Sequence, residues 1–461
     1  QYKLDNGLEV VMLPYGEAPL VQVQLLFKGG VWYEPMKGID EYSYEWIDSD
    51  YRESPMRVAG SWTGGSGNTS QAMGAQGSSA NLDALLYMTR NQVESSFVNV
   101  DDRLTWEKYA KKSARGARGN VDWWAGYVAD SRLYPDHPIS WRANESYYAS
   151  LKYTRSEMET YLDSIYRPDN GVLFVVGRID DPDAAQKAIE TFFGGWTVKG
   201  QAMELAELST DLPPVPERQV VVFDAPKQSQ TQVTMFCQIG PAGIENHEAR
   251  QMLAAVLAEQ AWVVLREQSG VTYGAGSGQS GYVDGSARLY FYSLVQNDAA
   301  ALAVSTFTDL SDKMTAGDID EDMLQLMKLN EARNYVLGHQ TSGQMLGRLE
   351  SPFTTGYGWD LIDGHAERLG AVGPADLQGQ MERCNGHEIV TLTGPVDVIE
   401  AQLVEAGIEH EVYDWEAEKE AMFAQYDPKA YAKHKKKQAK DAAKAAKKGE
   451  PEDDSFTGGT Y

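Results

Sequence analysis

Hydrophobic and polar positions form short strand-like runs near the start of each half of the chain. Leu8–Gly30 contains two such runs separated by a Pro/Gly turn. Val220–Gly240 has the same layout, with a polar turn between an apolar run and an alternating run. Later in each half, an apolar strand ends on Gly177 or Gly394, and an aspartate follows near the start of a helical pattern. A carboxylate at that position can cap the free N–H groups of the helix.

These matches recur at nearly the same offset. Gly240 lies 210 residues after Gly30, and Gly394 lies 217 residues after Gly177. Two pairs at similar offsets indicate a duplicated unit. Each half mixes strands with amphipathic helices, such as Glu248–Glu267, in clusters rather than in strict alternation. We therefore predict an α+β fold of two tandem homologous domains, each an antiparallel-rich sheet packed with helices.

Shifts in composition predict the domain boundaries. We assign residues 1–205 to the N-terminal domain and residues 206–425 to the C-terminal domain, because a Glu- and Pro-rich stretch between Gly200 and Glu217 is typical of a linker. Residues 426–461 are rich in Lys and Ala, then acidic, then rich in Gly and Thr. They are predicted to be a flexible, solvated arm with some helical tendency. A docking arm for an acidic partner is the alternative interpretation.

Composition excludes several classes of protein. The chain has 461 residues, of which 42% are hydrophobic and 23% charged, so it is globular rather than disordered. Its net charge of −26 argues against nucleic acid or an anionic membrane as a partner, because both attract Lys and Arg. The sequence contains no apolar run of the roughly 18 residues that a membrane span needs. Cys237 and Cys384 are too few for a disulfide scaffold or a structural zinc site, and a single bridge between them is left open.

Several segments resemble the pitrilysin/insulinase-type zinc peptidases, the inverted zincins. The matching segments are Asn6–Pro14, Phe27–Gly30, Glu34–Gly38, Leu133–Pro138, Tyr166–Asn170 and Leu265–Tyr273. The resemblance extends from Asn6 to about Asp414 and depends on the order and spacing of these segments. It implies two tandem α+β domains that form half of a clamshell, in agreement with the repeat.

The resemblance fails at the zinc site. The family carries H-x-x-E-H on a helix, where two His ligate the metal and the Glu activates the bound water. Here Glu41 and Glu45 occupy the two histidine positions, and Tyr44 replaces the catalytic Glu. The third ligand, a Glu, would fall within Lys111–Trp123, which contains none, and the seven histidines of the chain are isolated from one another. No zinc is therefore expected in this chain, and it should not cleave peptides alone.

The resemblance implies a role for the second half. In two-chain members of the family, one subunit brings the zinc helix and the other brings an Arg–Tyr pair from its second domain. Arg266 and Tyr273 match this pair. The Arg could hold a substrate carbonyl, and the Tyr hydroxyl could donate to the oxyanion of the tetrahedral intermediate. The alternative is that Arg266 interacts with a helix dipole and Tyr273 is an ordinary strand residue.

Two further segments are candidates for contact with a peptide. Gly77, Ser78, Ala80 and Asn81 resemble the edge strand on which the family binds extended substrates, and a plain edge or interior strand is the equal alternative. Gly270–Gly281 is dense in glycine beside the Arg–Tyr pair, so its backbone could approach a ligand closely or form a mobile hairpin.

The leading interpretation is a zinc-free subunit of a heterodimeric zinc metallopeptidase, whose homologous partner carries H-x-x-E-H and the zinc. The two chains would enclose peptide substrates. The alternative is a catalytically inactive, peptidase-like scaffold subunit of a larger membrane or respiratory complex. An autonomous enzyme that uses Glu41 and Glu45 with another metal is disfavoured, because zinc sites normally use nitrogen or sulfur ligands. A periplasmic location is expected by analogy with bacterial paired subunits, and the sequence leaves open whether a signal sequence was removed or was never present.

Overall fold

The computed structural model describes residues 1–45, 47–49, 55–99, 103–135, 137–140, 152–202 and 212–448. The strands in these ranges are β1 Tyr2–Lys3, β2 Glu9–Pro14, β3 Leu20–Lys28, β4 Ile47–Ser49, β5 Ser61–Ser66, β6 Ser70–Ser78, β7 Ser96–Val98, β8 Gly171–Gly177, β9 Gln219–Asp224, β10 Gln230–Gln238, β11 Thr272–Gly281, β12 Ala287–Gln296, β13 Ile389–Gly394 and β14 Glu411–Val412. The helices are α1 Ile39–Glu45, α2 Leu82–Glu94, α3 Arg103–Arg118, α4 Val121–Leu133, α5 Arg155–Ile165, α6 Pro182–Phe193, α7 His247–Trp262, α8 Ala300–Thr315, α9 Glu321–Leu337, α10 Ser342–Thr354, α11 Asp360–Asp363, α12 His365–Ala371, α13 Pro374–Met381, α14 Val396–Glu405, α15 Trp415–Tyr426 and α16 Pro428–Lys448.

Two six-stranded mixed sheets form the centre of the fold. The first has the strand order β1-β2-β8-β3-β6-β5, and the second has the order β14-β9-β13-β10-β12-β11. In each sheet the second and third strands are parallel, and each later neighbour is antiparallel. The sheets differ at one end, where β1 is antiparallel to β2 whereas β14 is parallel to β9. Five strands are thus equivalent in order and direction, which confirms the predicted α+β duplication.

Glycines end the repeated strands as predicted. Gly177 and Gly394 are the last residues of β8 and β13. Gly30, just after β3, adopts a left-handed conformation with φ of +98°. A Cβ atom there would lie 2.6 Å from backbone atoms of Gly67 and Asn68. Because no side chain fits at this turn, glycine is required where the chain leaves β3.

Each sheet buries one face under helices from its own half. In the first unit, Phe27 and Leu173 of the sheet belong to one core with Leu85 of α2 and Leu162 of α5. In the second unit, α7 and α8 cover the sheet, and the rings of Phe291 and Phe307 stack with centroids 5.0 Å apart. Burial of these apolar side chains is the main stabilising contribution to each unit.

The opposite face of each sheet receives a helix from the other half. Trp124 of α4 packs against Val221 and Phe223 of β9 in the second sheet. Conversely, Leu346 of α10 packs against Phe174 of β8 in the first sheet. This reciprocal exchange joins the two units through apolar contacts.

The structure also resolves two points that the sequence left open. Cys237 of β10 and Cys384 form a disulfide. Residues 428–448 of the predicted arm form helix α16, which packs against α15. The boundary at residues 205 and 206 remains a prediction, because residues 203–211 lie outside the described ranges. Among the helices of those ranges, none combines the length and the apolar character needed to cross a bilayer.

Candidate functional site

The degenerate zinc motif lies on α1 in the first unit. Glu41 and Glu45 have the one-turn spacing of the family's histidines, and their side chains fall outside the described part of the structure. Tyr44 is half-buried, and its hydroxyl donates a hydrogen bond to the carbonyl oxygen of Ala72 at 3.1 Å. Burial raises the pKa of Tyr44 to about 12. A phenol in this state cannot take a proton from water near neutral pH, so Tyr44 does not replace the missing general base.

A buried carboxylate, Asp40, fixes the start of α1. It accepts hydrogen bonds from the backbone N–H of Gly30 at 2.9 Å, Gln71 Nε2 at 2.9 Å, Ser66 Oγ at 2.7 Å and the Tyr161 hydroxyl. Burial raises the pKa of Asp40, although these four donors act in the opposite direction. Sequence reasoning missed this network, because its donors come from four separate segments. Within the described residues, no group of three or more His, Cys, Asp or Glu is placed to hold a metal ion.

The Arg–Tyr pair lies in the second unit, at the junction of α7 and β11. The last turn of α7 widens into a π-helical turn, Val263–Gln268, and the chain then leaves the helix at Gly270 with φ of +68°. Arg266 Nη1 donates to the carbonyl oxygen of Thr272 at 3.1 Å. Its guanidinium carbon lies 5.3 Å from the centroid of the Tyr273 ring, a cation–π contact. The structure therefore brings the two predicted residues together.

Both side chains of this pair face solvent. Tyr273 is 88% exposed, and Arg266 is also exposed. Arg266 does lie in the last turn before the helix ends, as the structural alternative requires. That alternative does not explain the position of Tyr273. An aromatic side chain in a strand normally stabilises the fold because it is buried, and this ring is exposed. The exposed ring is the feature that a purely structural role leaves unexplained.

The glycine-dense segment beside the pair is an edge strand. Among the described strands, β11 pairs with β12 alone, so one row of its backbone groups faces away from the sheet. The ring of Tyr290 lies over this strand, since a Cβ atom on Gly278 would lie 2.4 Å from the Tyr290 hydroxyl oxygen. Tyr290, Tyr292 and Leu294 alternate along the outer face of β12, each 37% exposed. An open edge and an aromatic wall thus lie next to the Arg–Tyr pair.

The edge-strand interpretation of the segment in the first unit is wrong. Gly77 and Ser78 end β6, which lies between β3 and β5 rather than at the edge. Ala80 and Asn81 belong to a 3₁₀ turn that leads into α2. The strand cannot continue, because the apolar positions after Asn81 follow a helical period and bury Leu85 and Leu86. Among the described strands, the edge of the sheet on this side is β5, and contact of the four residues with a peptide stays a prediction.

A polar and aromatic contact joins the two units near these sites. His137, in the family-like segment after α4, lies with Nε2 2.6 Å from Asp284 Oδ2 at the tip of the β11–β12 hairpin. Burial raises the pKa of Asp284, but hydrogen bonds from His137 and Ser286 outweigh it, so the net shift is downward. Trp32, which follows β3, packs against His137 at 5.1 Å and against Tyr282 at 4.8 Å between ring centroids. These contacts of His137 therefore position the β11–β12 hairpin.

A second buried carboxylate, Glu248, lies in the first turn of α7. Arg368 donates to it from Nε at 2.7 Å and from Nη2 at 2.8 Å, and His365 Nδ1 lies 3.1 Å away. Burial raises the pKa of Glu248, but the hydrogen bonds from His365 and Arg368 outweigh it and lower the pKa to about 2. Sequence reasoning missed this cluster as well, because residues 248 and 365–368 are far apart in the chain.

The duplicated sheet unit, helix α1 with Glu41 and Glu45 at the histidine positions of the motif, and the exposed Arg–Tyr pair agree with the resemblance to the pitrilysin-type peptidases. Residues 152–330 match the family described as the Peptidase M16 inactive domain. This match covers 179 of the 461 residues and confirms, for that part of the chain, the resemblance to the pitrilysin-type peptidases. No curated protein sequence matches it significantly.

Solved structures of the same fold extend over nearly the whole chain. A Peptidase M16 inactive domain from Pseudomonas fluorescens matches with a TM-score of 0.72 at 15% identity and covers 86% of this chain and 97% of its own. The periplasmic protease PqqL from Escherichia coli matches with 0.70 at 13% identity, over 85% of this chain and 45% of PqqL. A chain of complex III2 from Candida albicans matches with 0.65 at 13% identity, over 91% and 99%. At these identities the similarity shows the fold alone.

Proposed function

We propose that this chain is the zinc-free subunit of a heterodimeric zinc metallopeptidase. A homologous partner would carry H-x-x-E-H, and this chain would contribute Arg266 and Tyr273 together with part of the chamber wall. The observation that supports the proposal most directly is the contact between Arg266 and Tyr273. Both side chains are exposed to solvent and lie next to the edge strand β11.

The chemistry assigned to the pair follows from its functional groups. Zinc on the partner would supply a nucleophilic water at neutral pH. Arg266 would orient the substrate carbonyl through its guanidinium N–H groups, and the Tyr273 hydroxyl would donate to the oxyanion as the carbonyl becomes tetrahedral. Within the described residues, the Tyr273 hydroxyl makes no hydrogen bond, so it is free to donate one to a substrate.

Peptide substrates fit the surface beside the pair. An extended segment can add to the open edge of β11 through backbone hydrogen bonds that do not depend on its sequence. Gly276 and Gly278 place no side chains on the outer face of that strand, and Tyr290 and Tyr292 lie next to them. Aromatic side chains of this kind would pack against apolar residues of the bound peptide.

A periplasmic location is part of the proposal. The disulfide between Cys237 and Cys384 favours an oxidising compartment. One structure of the same fold is that of a periplasmic protease.

A scaffold in a larger complex is the second candidate, favoured by the fold similarity to a chain of complex III2. The two candidates differ in what binds the chain. Native co-purification with mass spectrometry should identify a partner of similar size that contains H-x-x-E-H. A larger assembly without such a chain would support the scaffold.

The Arg–Tyr role is tested in the assembled complex. Tyr273→Phe should lower kcat about 100-fold or more, the usual cost of removing one oxyanion donor, and Arg266→Ala should be at least as damaging. Arg178→Ala and Tyr87→Phe, at exposed positions on other elements, are the matched controls and should retain full activity. Size-exclusion chromatography with light scattering must show that every variant still assembles. Unchanged activity in assembled R266A and Y273F would reject the catalytic contribution.

A further inference from the structure

The charge of the chain is strongly segregated. Helix α16 carries nine lysines, one aspartate and no arginine. Its net charge is +8, so the rest of the chain carries −34, since the whole chain carries −26. The expectation drawn from whole-chain charge, that anionic surfaces are excluded, therefore does not apply to this helix.

The lysines of α16 occupy one side of the helix. Successive residues of an α-helix are about 100° apart, and seven of the nine lysines then fall within an arc of about 100°; six of the seven have side chains in the described part of the structure. These six, which we call the lysine face, are Lys429, Lys433, Lys436, Lys437, Lys440 and Lys444, and all are exposed. The helix is about 30 Å long at 1.5 Å per residue, so the lysine face is a straight strip of positive charge.

The other side of α16 is attached to α15. The ring of Phe423 lies 5.5 Å from that of Tyr431 and 5.7 Å from that of His434, between centroids. Glu420 accepts a hydrogen bond from the Tyr431 hydroxyl at 2.8 Å and pairs with Lys435. Tyr431, His434 and Lys435 all lie on the side of α16 away from the lysine face, so these contacts direct that face outward.

The helix pair is in turn held on the body of the protein. Trp415 Nε1 of α15 donates to the carbonyl oxygen of Asp224 at 3.1 Å. The guanidinium carbon of Arg115, on α3, lies 5.6 Å from the Phe423 ring centroid. The lysine face is therefore presented in a defined orientation, on the side of α16 away from α15. At physiological ionic strength the Debye length is about 8 Å, so repulsion between an anionic surface and acidic groups farther from it than this is largely screened.

We infer that the lysine face is a peripheral binding site for an anionic phospholipid bilayer. A flat negative surface can contact all six lysines of a straight strip at once, and clusters of four to eight basic residues on such helices bind anionic lipids at about 1 kcal/mol per residue. The lysine face contains no aromatic or large aliphatic residue, so contact is electrostatic and without insertion.

Other anionic partners fit less well. Protein interfaces are depleted in lysine and depend on buried aromatic and arginine side chains, which the lysine face lacks. Phosphate recognition in nucleic acids favours arginine for its bidentate geometry, and α16 has none. The lysine face carries six ammonium groups and no aromatic or arginine side chain. Such a surface is most complementary to the diffuse, planar negative charge of an anionic bilayer.

The test is flotation of the 461-residue chain with vesicles of 30% phosphatidylglycerol in phosphatidylcholine. The chain should bind these vesicles at low ionic strength, be released as salt increases, and ignore pure phosphatidylcholine. The variant K433Q/K436Q/K437Q/K440Q should bind at least 100-fold more weakly, since each lysine is expected to contribute about fivefold. Gln preserves helix propensity, and circular dichroism checks that α16 is retained.

A matched variant removes the same charge elsewhere. Lys152, Lys187, Lys227 and Lys313 are exposed and lie on other segments, and K152Q/K187Q/K227Q/K313Q should bind as the unmodified chain does. Equal loss in both variants would overturn the inference, as would no binding to anionic vesicles at low salt. Preferential binding of a 20-base-pair duplex, or self-association that disappears only in the first variant while vesicle binding persists, would also overturn it.

Discussion

Each of the two units buries a carboxylate at an equivalent position. The pKa values of these two carboxylates shift in opposite directions. Asp40 is the second residue of α1 and Glu248 the second residue of α7, and each helix is the first after its central strand pair. Neutral donors surround Asp40, so burial dominates and raises its pKa. Arg368 and His365 surround Glu248, so pairing dominates and lowers its pKa to about 2.

The difference shows that an equivalent position in the two units does not determine the pKa of a buried carboxyl group. The neighbouring side chains determine it. In the first unit, neutral hydrogen-bond donors surround the buried carboxylate at the start of α1. In the second unit, an ion cluster ties the first turn of α7 to α12, at the opposite end of that helix from Arg266. The second unit therefore depends on charge, whereas the first depends on neutral hydrogen bonds. Four experiments, each on a different variant, can break or sharpen this comparison.

The largest expected effect comes from the disulfide, which only the second unit contains. Cys237 and Cys384 are separated by 147 residues. Loop-closure entropy for a loop of this length gives a stabilisation of roughly 5 kcal/mol as an upper value. Cys237→Ser with Cys384→Ser should lower the stability of the second unit by roughly 2–5 kcal/mol, measured by native-state hydrogen exchange of α7 and β10.

The same measurement contains its control. Reductant should weaken the unmodified chain to the level of the double variant and leave the double variant unchanged. Amides of β3 and β8 should keep most of their protection. Equal loss of protection in both sheets would show that the exchanged helices α4 and α10 make the units one cooperative structure, and the contrast between the units would then fail.

Glu248→Gln should be the next largest effect, at about 3 kcal/mol. It leaves Arg368 and His365 without their anionic partner in a site that excludes water, and breaking a buried ion pair costs about 3–5 kcal/mol. The measurement is the urea unfolding midpoint at pH 7, with hydrogen exchange of α7 as a local probe.

Asp40→Asn is the matched change in the first unit and should cost about 1 kcal/mol or less. Oδ1 receives the bonds from Gly30, Gln71 and Tyr161, and Asn retains this oxygen. Oδ2 receives only Ser66, whose hydroxyl can turn to accept from the new amide group. If D40N costs as much as E248Q, then Asp40 functions as an anion and the proposed difference between the sites is incorrect.

Sequence patterns predicted the elements that depend on local order. The strand pairs and the glycines at their ends follow from the alternation of polar and apolar residues and from turn geometry. Their repetition in the two halves was sufficient to predict the duplication. The edge-strand prediction for Gly77–Asn81 was wrong because a strand ends and a helix begins within this segment. The resemblance to an edge strand was given more weight than the helical period that follows. A strand's place inside a sheet depends on distant pairing, which local pattern does not contain.

The candidate site was predicted in part for the same reason. Arg266 and Tyr273 are close in sequence, so their motif was visible, and the structure adds the exposure of the ring. The networks around Asp40 and Glu248 join residues more than 100 positions apart. The exchange of α4 and α10 was equally invisible, because the apolar residues of a helix do not indicate which of the two sheets they will cover.

A comparably small effect is expected from the loss of stability of the second unit in acid. Burial lowers the pKa of His247 to about 4, with Arg250 and Arg368 adding to the shift and Glu248 opposing it. Because the folded pKa lies below the unfolded value of about 6.5, the unfolded state binds more protons as pH falls, and stability is lost between pH 6.5 and 4. His247→Asn should flatten this decline by about 1 kcal/mol at pH 5, allowing for partial solvent screening. His434→Asn, on α16, removes one histidine without touching α7 and should leave the decline unchanged. If protection of α1 falls with pH as steeply as that of α7, then acid sensitivity does not distinguish the two units.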